Sequence, residues 1–335
     1  MATQKGVWNL QQVRDKALQS LWTYSSNVNS LWSWGYNSKG QLGQNNETLY
    51  SSPIQIPGSW SKIYPTDKNV TVAEKTSGSL WVWGDNRDGS AGQNSVNDGY
   101  SSPVQVSGTT WDYAIGIYDD RQGVAAVKTD GTLCAWGKNQ TGILGQNNRT
   151  SYSSPVQIGS DSTWSAERHK LDSGKADMGA IKTDGTLWMW GGYQANDAYG
   201  KLGLNDTVRR SSPTQVPGTW DKIALGDFHT IGTKTDGTLW AWGSNWYGSL
   251  GQNDRTFRSS PVQIPGTTWS IVNNQELSVL AMKTDGTLWG WGQNSNGTLG
   301  VNNTTYYSSP VQIPGTEWSD IISSGTNSTF GLKKL

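Results

Sequence analysis

Residue types that do chemistry at neutral pH are scarce in this chain: two histidines, His169 and His229, and one cysteine, Cys134, in 335 residues. The histidines stand far apart and in no metal-ligand spacing, so each reads as an ordinary loop or strand residue. The segment Asp85–Gly89 (DNRDG) resembles the start of a calcium loop, but its ligand spacing is wrong and no closing glutamate follows. Nothing gathers a nucleophile, a base and an orienting partner, and the expectation is a protein with no catalytic residues, no cofactor and no metal site. A lone thiol cannot form an intrachain disulfide, so stability must come from packing.

Composition narrows the partners. Lysine plus arginine equals aspartate plus glutamate at 26 each, which removes the general attraction toward nucleic acid or an anionic membrane. No apolar run reaches the roughly 18 residues of a membrane span, and Met1–Leu10 has no signal-peptide pattern. Only 34% of residues are apolar and the mean hydropathy is −0.61, yet 20 Trp and 41 Gly recur at regular places. The core must be built from indole rings.

The elements that position everything else come from a repeat of roughly 50 residues. Leu-Trp-x-Trp-Gly occurs at Leu31–Gly35, Leu80–Gly84, Leu187–Gly191, Leu239–Gly243 and Leu288–Gly292, and a sixth copy, Leu133–Gly137, has Cys134 at the first Trp. Cys134 therefore reads as a buried small residue rather than a nucleophile. An apolar strand and an Asp-Gly turn precede most copies, as at Asp130-Gly131 and Asp236-Gly237, and predict two-residue hairpins with positive φ. A Gly-rich turn such as Asn37–Gly43 follows each copy, then Ser-Ser-Pro-x-Gln, starting at Ser51, Ser101, Ser153, Ser211, Ser259 and Ser308. Proline there suits an edge strand, because it cannot donate to a ladder.

These motifs closely resemble the regulator-of-chromosome-condensation repeat, over about Leu31 to Lys334. The resemblance implies an all-β propeller. That family usually has seven blades; six copies predict a six-bladed β-propeller here, with a seven-bladed one as the alternative. The predicted domains are an arm, residues 1–22, with a short amphipathic N-terminal helix, and a propeller, residues 23–335, closed by its N- and C-terminal strands. Trp318–Lys334 is the expected partner of the first Leu-Trp-x-Trp-Gly, with Leu21–Ser26 as a competing one.

Candidate contacts come from positions that form rings and from positions that break the consensus. Lys75, Lys128, Lys182, Lys234, Lys283 and Lys333 form one ring beside the hairpin turns and read as solvated lysines. Tyr50, Tyr100, Tyr152, Arg210, Arg258 and Tyr307 form a second, just before Ser-Ser-Pro; Tyr and Arg favour interface hot spots, and packing across a blade edge is the competing reading. The irregular Gly192–Gly200, with Tyr193 and Tyr199, and Trp246-Tyr247 add exposed aromatics suited to gripping a protein or stacking on a sugar.

Family resemblance implies binding rather than catalysis: its founding member is a chromatin-bound nucleotide-exchange factor for a small GTPase, and a secreted bacterial relative inhibits a β-lactamase. The arm Gly6–Trp22 resembles short docking segments of tailed-phage structural proteins, with Trp8, Leu10, Val13, Ala17 and Leu21 as candidate docking residues. The resulting expectation is a virion protein of a fibre, tail or capsid surface that meets other virion proteins or a host-surface protein or glycan. A bacterial protein-binding or adhesion module, cytoplasmic or non-classically secreted, is the alternative. Neither places the chain on nucleic acid or in a membrane; the helix would allow homo-oligomers.

Overall fold

The structure is a computed structural model and describes residues 29–64, 66, 69–117, 123–192, 199–274, 277–324 and 328–334. The arm with its expected helix and docking residues, and the competing strand Leu21–Ser26, lie outside the described residues.

Among the described residues all regular structure is β, in six antiparallel sheets whose strands pair in chain order. The first joins β1 (Asn29–Gly35), β2 (Tyr50–Tyr64), β3 (Val70–Lys75), β4 (Leu80–Gly84) and β5 (Tyr100–Gln105). The second runs through β6 (Trp111–Ile117), β7 (Gly123–Lys128), β8 (Leu133–Gly137) and β9 (Tyr152–Gln157). Next come β10 (Leu171–Gly174), β11 (Asp177–Ile181), β12 (Leu187–Gly191) and β13 (Arg210–Val216), then β14 (Trp220–Leu225), β15 (His229–Lys234), β16 (Leu239–Gly243) and β17 (Arg258–Ile264). The fifth holds β18 (Trp269–Asn274), β19 (Ser278–Lys283), β20 (Leu288–Gly292) and β21 (Tyr307–Ile313). A two-stranded sheet of β22 (Trp318–Ser324) and β23 (Ser328–Lys333) ends the chain.

The repeat maps onto these sheets strand by strand. Each complete sheet ends on its Ser-Ser-Pro strand, where a missing N–H costs no ladder bond. The first strands of successive sheets pack on one another, β10 on β6, β14 on β10, β18 on β14 and β22 on β18, so they form the inner side. The long β2 serves two units: Tyr50–Ile56 pairs with β1, and Trp60–Tyr64 pairs with β3.

The Asp-Gly hairpins form, with a correction to the turn. Gly131 N donates to Lys128 O at 2.9 Å and Lys128 N to Thr132 O at 2.9 Å, which makes a three-residue loop. Only Gly131 has positive φ (80°), so the loop is a type I turn closed by a glycine rather than a two-residue turn. The Asp130 carboxylate explains why: it accepts from Thr132 N and Oγ1, closing the turn through its side chain.

Indoles do fill the core. The second Trp of the motif is fully buried in five copies (Trp83, Trp136, Trp190, Trp242, Trp291) and lies against a second indole (Trp60, Trp111, Trp164, Trp220 and Trp269 in turn), as Trp220 against Trp242 at 5.3 Å. Truncating such a ring costs about 3–5 kcal/mol, so each is a principal contributor to its unit. Cys134 is buried at the first-Trp position of β8.

Candidate functional site

The two rings of equivalent residues are engaged inside the fold. Each ring lysine lies over one of the indoles Trp60, Trp111, Trp164, Trp220, Trp269 and Trp318, with Nζ at 5.2 Å from Trp60 for Lys75 and 4.8 Å from Trp269 for Lys283. In four units the lysine also covers the first Trp of the motif, as Lys234 over Trp240 at 3.7 Å. This ring is a set of cation–π clamps. Lys128 has Trp111 alone, because Cys134 replaces the second indole.

The Tyr and Arg ring holds its own loops. The hydroxyls of Tyr50, Tyr152 and Tyr307 accept from the amides of Asn46, Asn148 and Asn303 at 2.9–3.0 Å, and Tyr100 bonds Ser95 Oγ at 3.0 Å. Where Arg replaces Tyr, Asp replaces Asn: Arg210 pairs with Asp206 at 2.6 Å and Arg258 with Asp254 at 2.7 Å. That exchange was readable in the sequence as a paired change four residues apart. All six side chains are half-buried.

The consensus breakers gather instead. Asn245, fully buried, accepts from Leu250 N and donates to Asp254 O and Thr256 O at 3.0 and 3.2 Å, which pins both ends of the loop between β16 and β17. Trp246 and Phe257 are thereby held at 5.7 Å. The neighbouring unit supplies Tyr199. A Cβ on Gly200 would meet Ser259 Cα at 2.4 Å, so only glycine lets that turn sit on β17, and Asn205 N donates to Ser259 O at 2.8 Å. Tyr199 then touches Trp246 at 5.0 Å, Phe257 at 5.6 Å and Phe228, from the loop joining β14 and β15, at 5.6 Å. Lys175 lies over the Phe228 ring at 5.5 Å. One junction further on, Tyr247 meets Tyr306 at 5.6 Å. Trp246 remains 45% exposed and Phe257 37%, so this aromatic patch faces solvent.

Tyr199, Trp246 and Tyr247 were expected at the surface from the sequence; Tyr193 lies outside the described residues. Phe228, Phe257 and Tyr306 were missed. Their signal was rarity, since two of the chain's three phenylalanines are here.

A polar layer lies in the same two units. Lys201, directly after Gly200, pairs with Asp177, and both side chains are at most 5% exposed. Asn274 donates to His229 O at 3.1 Å and Ala224 O at 3.3 Å. His229 is fully buried, and burial, reinforced by the Lys201 charge, holds its imidazole neutral with a pKa of about 3. His169 is lowered to about 4, mainly by burial. Asp172, desolvated despite accepting from Leu225 N, is raised to about 6. Among the described residues no three His, Cys, Asp or Glu side chains form a metal-ligand group. Lys201 and Asp177 compensate one another's charge in the interior.

Comparison with known proteins agrees with this architecture. The chain is 30% identical over 219 residues to the ultraviolet-B receptor UVR8 of Arabidopsis thaliana, covering 63% of this chain and 48% of the receptor. It is 23% identical over 233 residues to the E3 ubiquitin-protein ligase HERC2 of Homo sapiens, covering 66% of this chain and 5% of the ligase. The match thus spans about half or far less of these relatives. Among solved structures, human WBSCR16 superposes with a TM-score of 0.74 at 18% identity, covering 93% of this chain and 83% of that one. Prp20p from Saccharomyces cerevisiae gives 0.69 at 20% identity, covering 91% and 79%. The family model for the regulator of chromosome condensation (RCC1) repeat matches residues 29–71, 130–166, 184–232 and 285–332, and a second model of that repeat matches 220–252. With more than half of its length matched, the chain belongs to the RCC1 repeat family.

Proposed function

We propose that the chain is a six-bladed binding module that grips a protein partner through the aromatic patch Tyr199–Phe228–Trp246–Phe257 and its continuation, Tyr247–Tyr306. The six blades count β22, β23, β1 and the first half of β2 as one unit, in line with six copies of each motif. One observation carries the binding reading: a group of contacting aromatic rings, held rigid by Asn245 and the Gly200 turn, is left at the surface. Rigid, partly exposed aromatics bury large area at low entropic cost, the character of interface hot spots. Protein binding also has precedent in the fold: Prp20p is described with binding properties to Gsp1p and histones, and yeast RCC1 bound to Kap60. With zero net charge, this chain lacks the electrostatics for a histone-like or nucleic-acid partner and relies on apolar contact.

Trp246→Ala, Phe257→Ala and Trp246→Asp chains, compared with wild type, test the patch on extracts of the source organism and on an immobilised glycan panel. Loss of a discrete protein partner with unchanged thermal stability is the expected result. Undiminished capture by all three variants would remove the patch from the contact, and loss confined to glycans would make it a sugar platform. The finer placement on a phage particle rests on the arm, residues 1–22, and predicts that a chain lacking it folds but is not incorporated into virions.

A further inference from the structure

Among the described residues, a carboxylate reaches the lysine ring at one position only. In the third unit Lys182 Nζ lies 4.9 Å from Trp164 and 4.3 Å from Trp188 and pairs with Asp161 at 2.9 Å. The lysine side chain is 10% exposed and the aspartate 53%, so the carboxylate covers the ammonium from outside. Asp161 belongs to the loop that enters Trp164, Gly159-Ser160-Asp161-Ser162-Thr163, one residue longer than Pro265-Gly266-Thr267-Thr268 of the fifth unit. The insertion brings a carboxylate to a clamp that its counterparts leave with ring contacts alone: Lys75, Lys128, Lys234, Lys283 and Lys333 have no ion-paired partner among the described residues.

The Lys283 clamp is the one shaped most like the occupied clamp. Its Nζ lies midway between Trp269 and Trp289, at 4.8 Å from each, whereas Lys75 and Lys234 lean onto the motif Trp at 3.5 and 3.7 Å. Asp285, two residues on, does not take the ammonium, because its carboxylate accepts from Thr287 N and Oγ1 at 2.9 and 2.7 Å. An open cavity of about 340 Å³ is lined by Lys283, both indoles, Pro265, Pro310 and Asn253. It belongs to the junction where the Gly248 turn seats Ser308, a contact that a turn glycine also makes at each of the four preceding junctions. A Cβ on Gly266 would come to 3.5 Å from Lys283 Nζ, so glycine there leaves the half-buried ammonium uncovered.

We propose that the Trp269–Lys283–Trp289 clamp and its cavity take the carboxylate of an aspartate or glutamate in a loop of a partner protein, as the Lys182 clamp takes Asp161. An ammonium between two indoles is attracted by the rings but not neutralised by them, so it keeps its full pull on an anion. A carboxylate arriving at the open side gains a charge-assisted hydrogen bond, and the residues beside it meet the indole and proline faces of the cavity. The commitment to a peptide rests on the chain's own example, in which the carboxylate is delivered by the small-residue segment Gly-Ser-Asp-Ser. This inference is independent of the aromatic patch.

The probe is the segment Ile158–Thr163 as a synthetic peptide, acetylated and amidated so that Asp161 is its one carboxylate. It is titrated into the full chain carrying isotope-labelled tryptophan, with the Trp289 indole signal identified from Trp289→Phe. A saturable shift of that signal at millimolar peptide is expected, with binding about tenfold weaker for the Asp161→Asn peptide and lost in the Lys283→Met chain. Equal binding of the two peptides, or no saturable shift, overturns the proposal; this comparison uses unaltered protein and holds even where Lys283→Met weakens the fold. Sodium glucuronate saturating the same signal more tightly than the peptide would assign the cavity to acidic sugars and likewise overturn it.

Discussion

The second sheet and the fourth obey the same repeat and spend it differently. In β6–β9 the repeat positions carry small or apolar residues: Gly123 opens the second strand and Ile143 sits in the following turn. In β14–β17 and the turn feeding it, the matching kinds of position hold His229 and Lys201, and aromatic rings crowd the surface beside them. Backbone contacts are the same in both, since Trp190 donates to Ile143 O as Trp242 does to Lys201 O. A junction built on glycine and carbonyl groups leaves the side chain at the carbonyl residue free to vary. The third and fourth sheets use that freedom; the second does not.

Three experiments break or sharpen this contrast, from the largest effect down. Lys201→Ser gives that turn the residue found at Ser90 but removes the buried ammonium that pairs with Asp177. The expected loss is about 3–5 kcal/mol by chemical denaturation, and adding Asp177→Val, after Val70, should recover most of it. Equal losses in the single and double variants would show that the ion pair is not what the site depends on.

Acid should act next through His229. Its pKa is lowered to about 3 in the fold against 6.5 in the open chain, so the unfolded state binds the extra proton between those values. Stability from this group is complete above pH 6.5 and declines as pH falls toward 3, by an amount on the order of a few kcal/mol. His169 acts in the same direction, whereas Asp172, raised to about 6, loses stability as pH rises from 3.8 to 6. His229→Gln should therefore flatten the wild-type profile on its acid side; parallel profiles would contradict a buried neutral imidazole.

The smallest effect compares two clamps. Lys234 lies between two indoles and Lys128 over one, so Lys234→Met should cost about 1–2 kcal/mol and Lys128→Met about half of that. Equal costs would mean that the second ring contributes nothing.

Much of the fold was legible because the repeat states each local rule several times. The strands, the hairpins and the edge position of Ser-Ser-Pro all follow from residue type and spacing. Turn length escaped, since the Asp130 side chain rather than its φ closes the loop. The contact surface was legible only in part. Trp246 breaks the consensus visibly, but its meeting with Tyr199 depends on Gly200 resting against Ser259, a contact between residues nearly sixty positions apart that local pattern does not encode. The lysine ring looked solvated because lysine usually is; stacked indoles on both sides reverse that expectation.

The uniform contact between a turn glycine and the serine of the next unit has a consequence for how such chains grow. Since no unit recognises its neighbour by a private side chain at that point, a duplicated or deleted gene segment leaves every remaining joint chemically intact. A change in copy number then leaves the remaining joints unaltered, and new specificities are free to arise in the loops outside the joint.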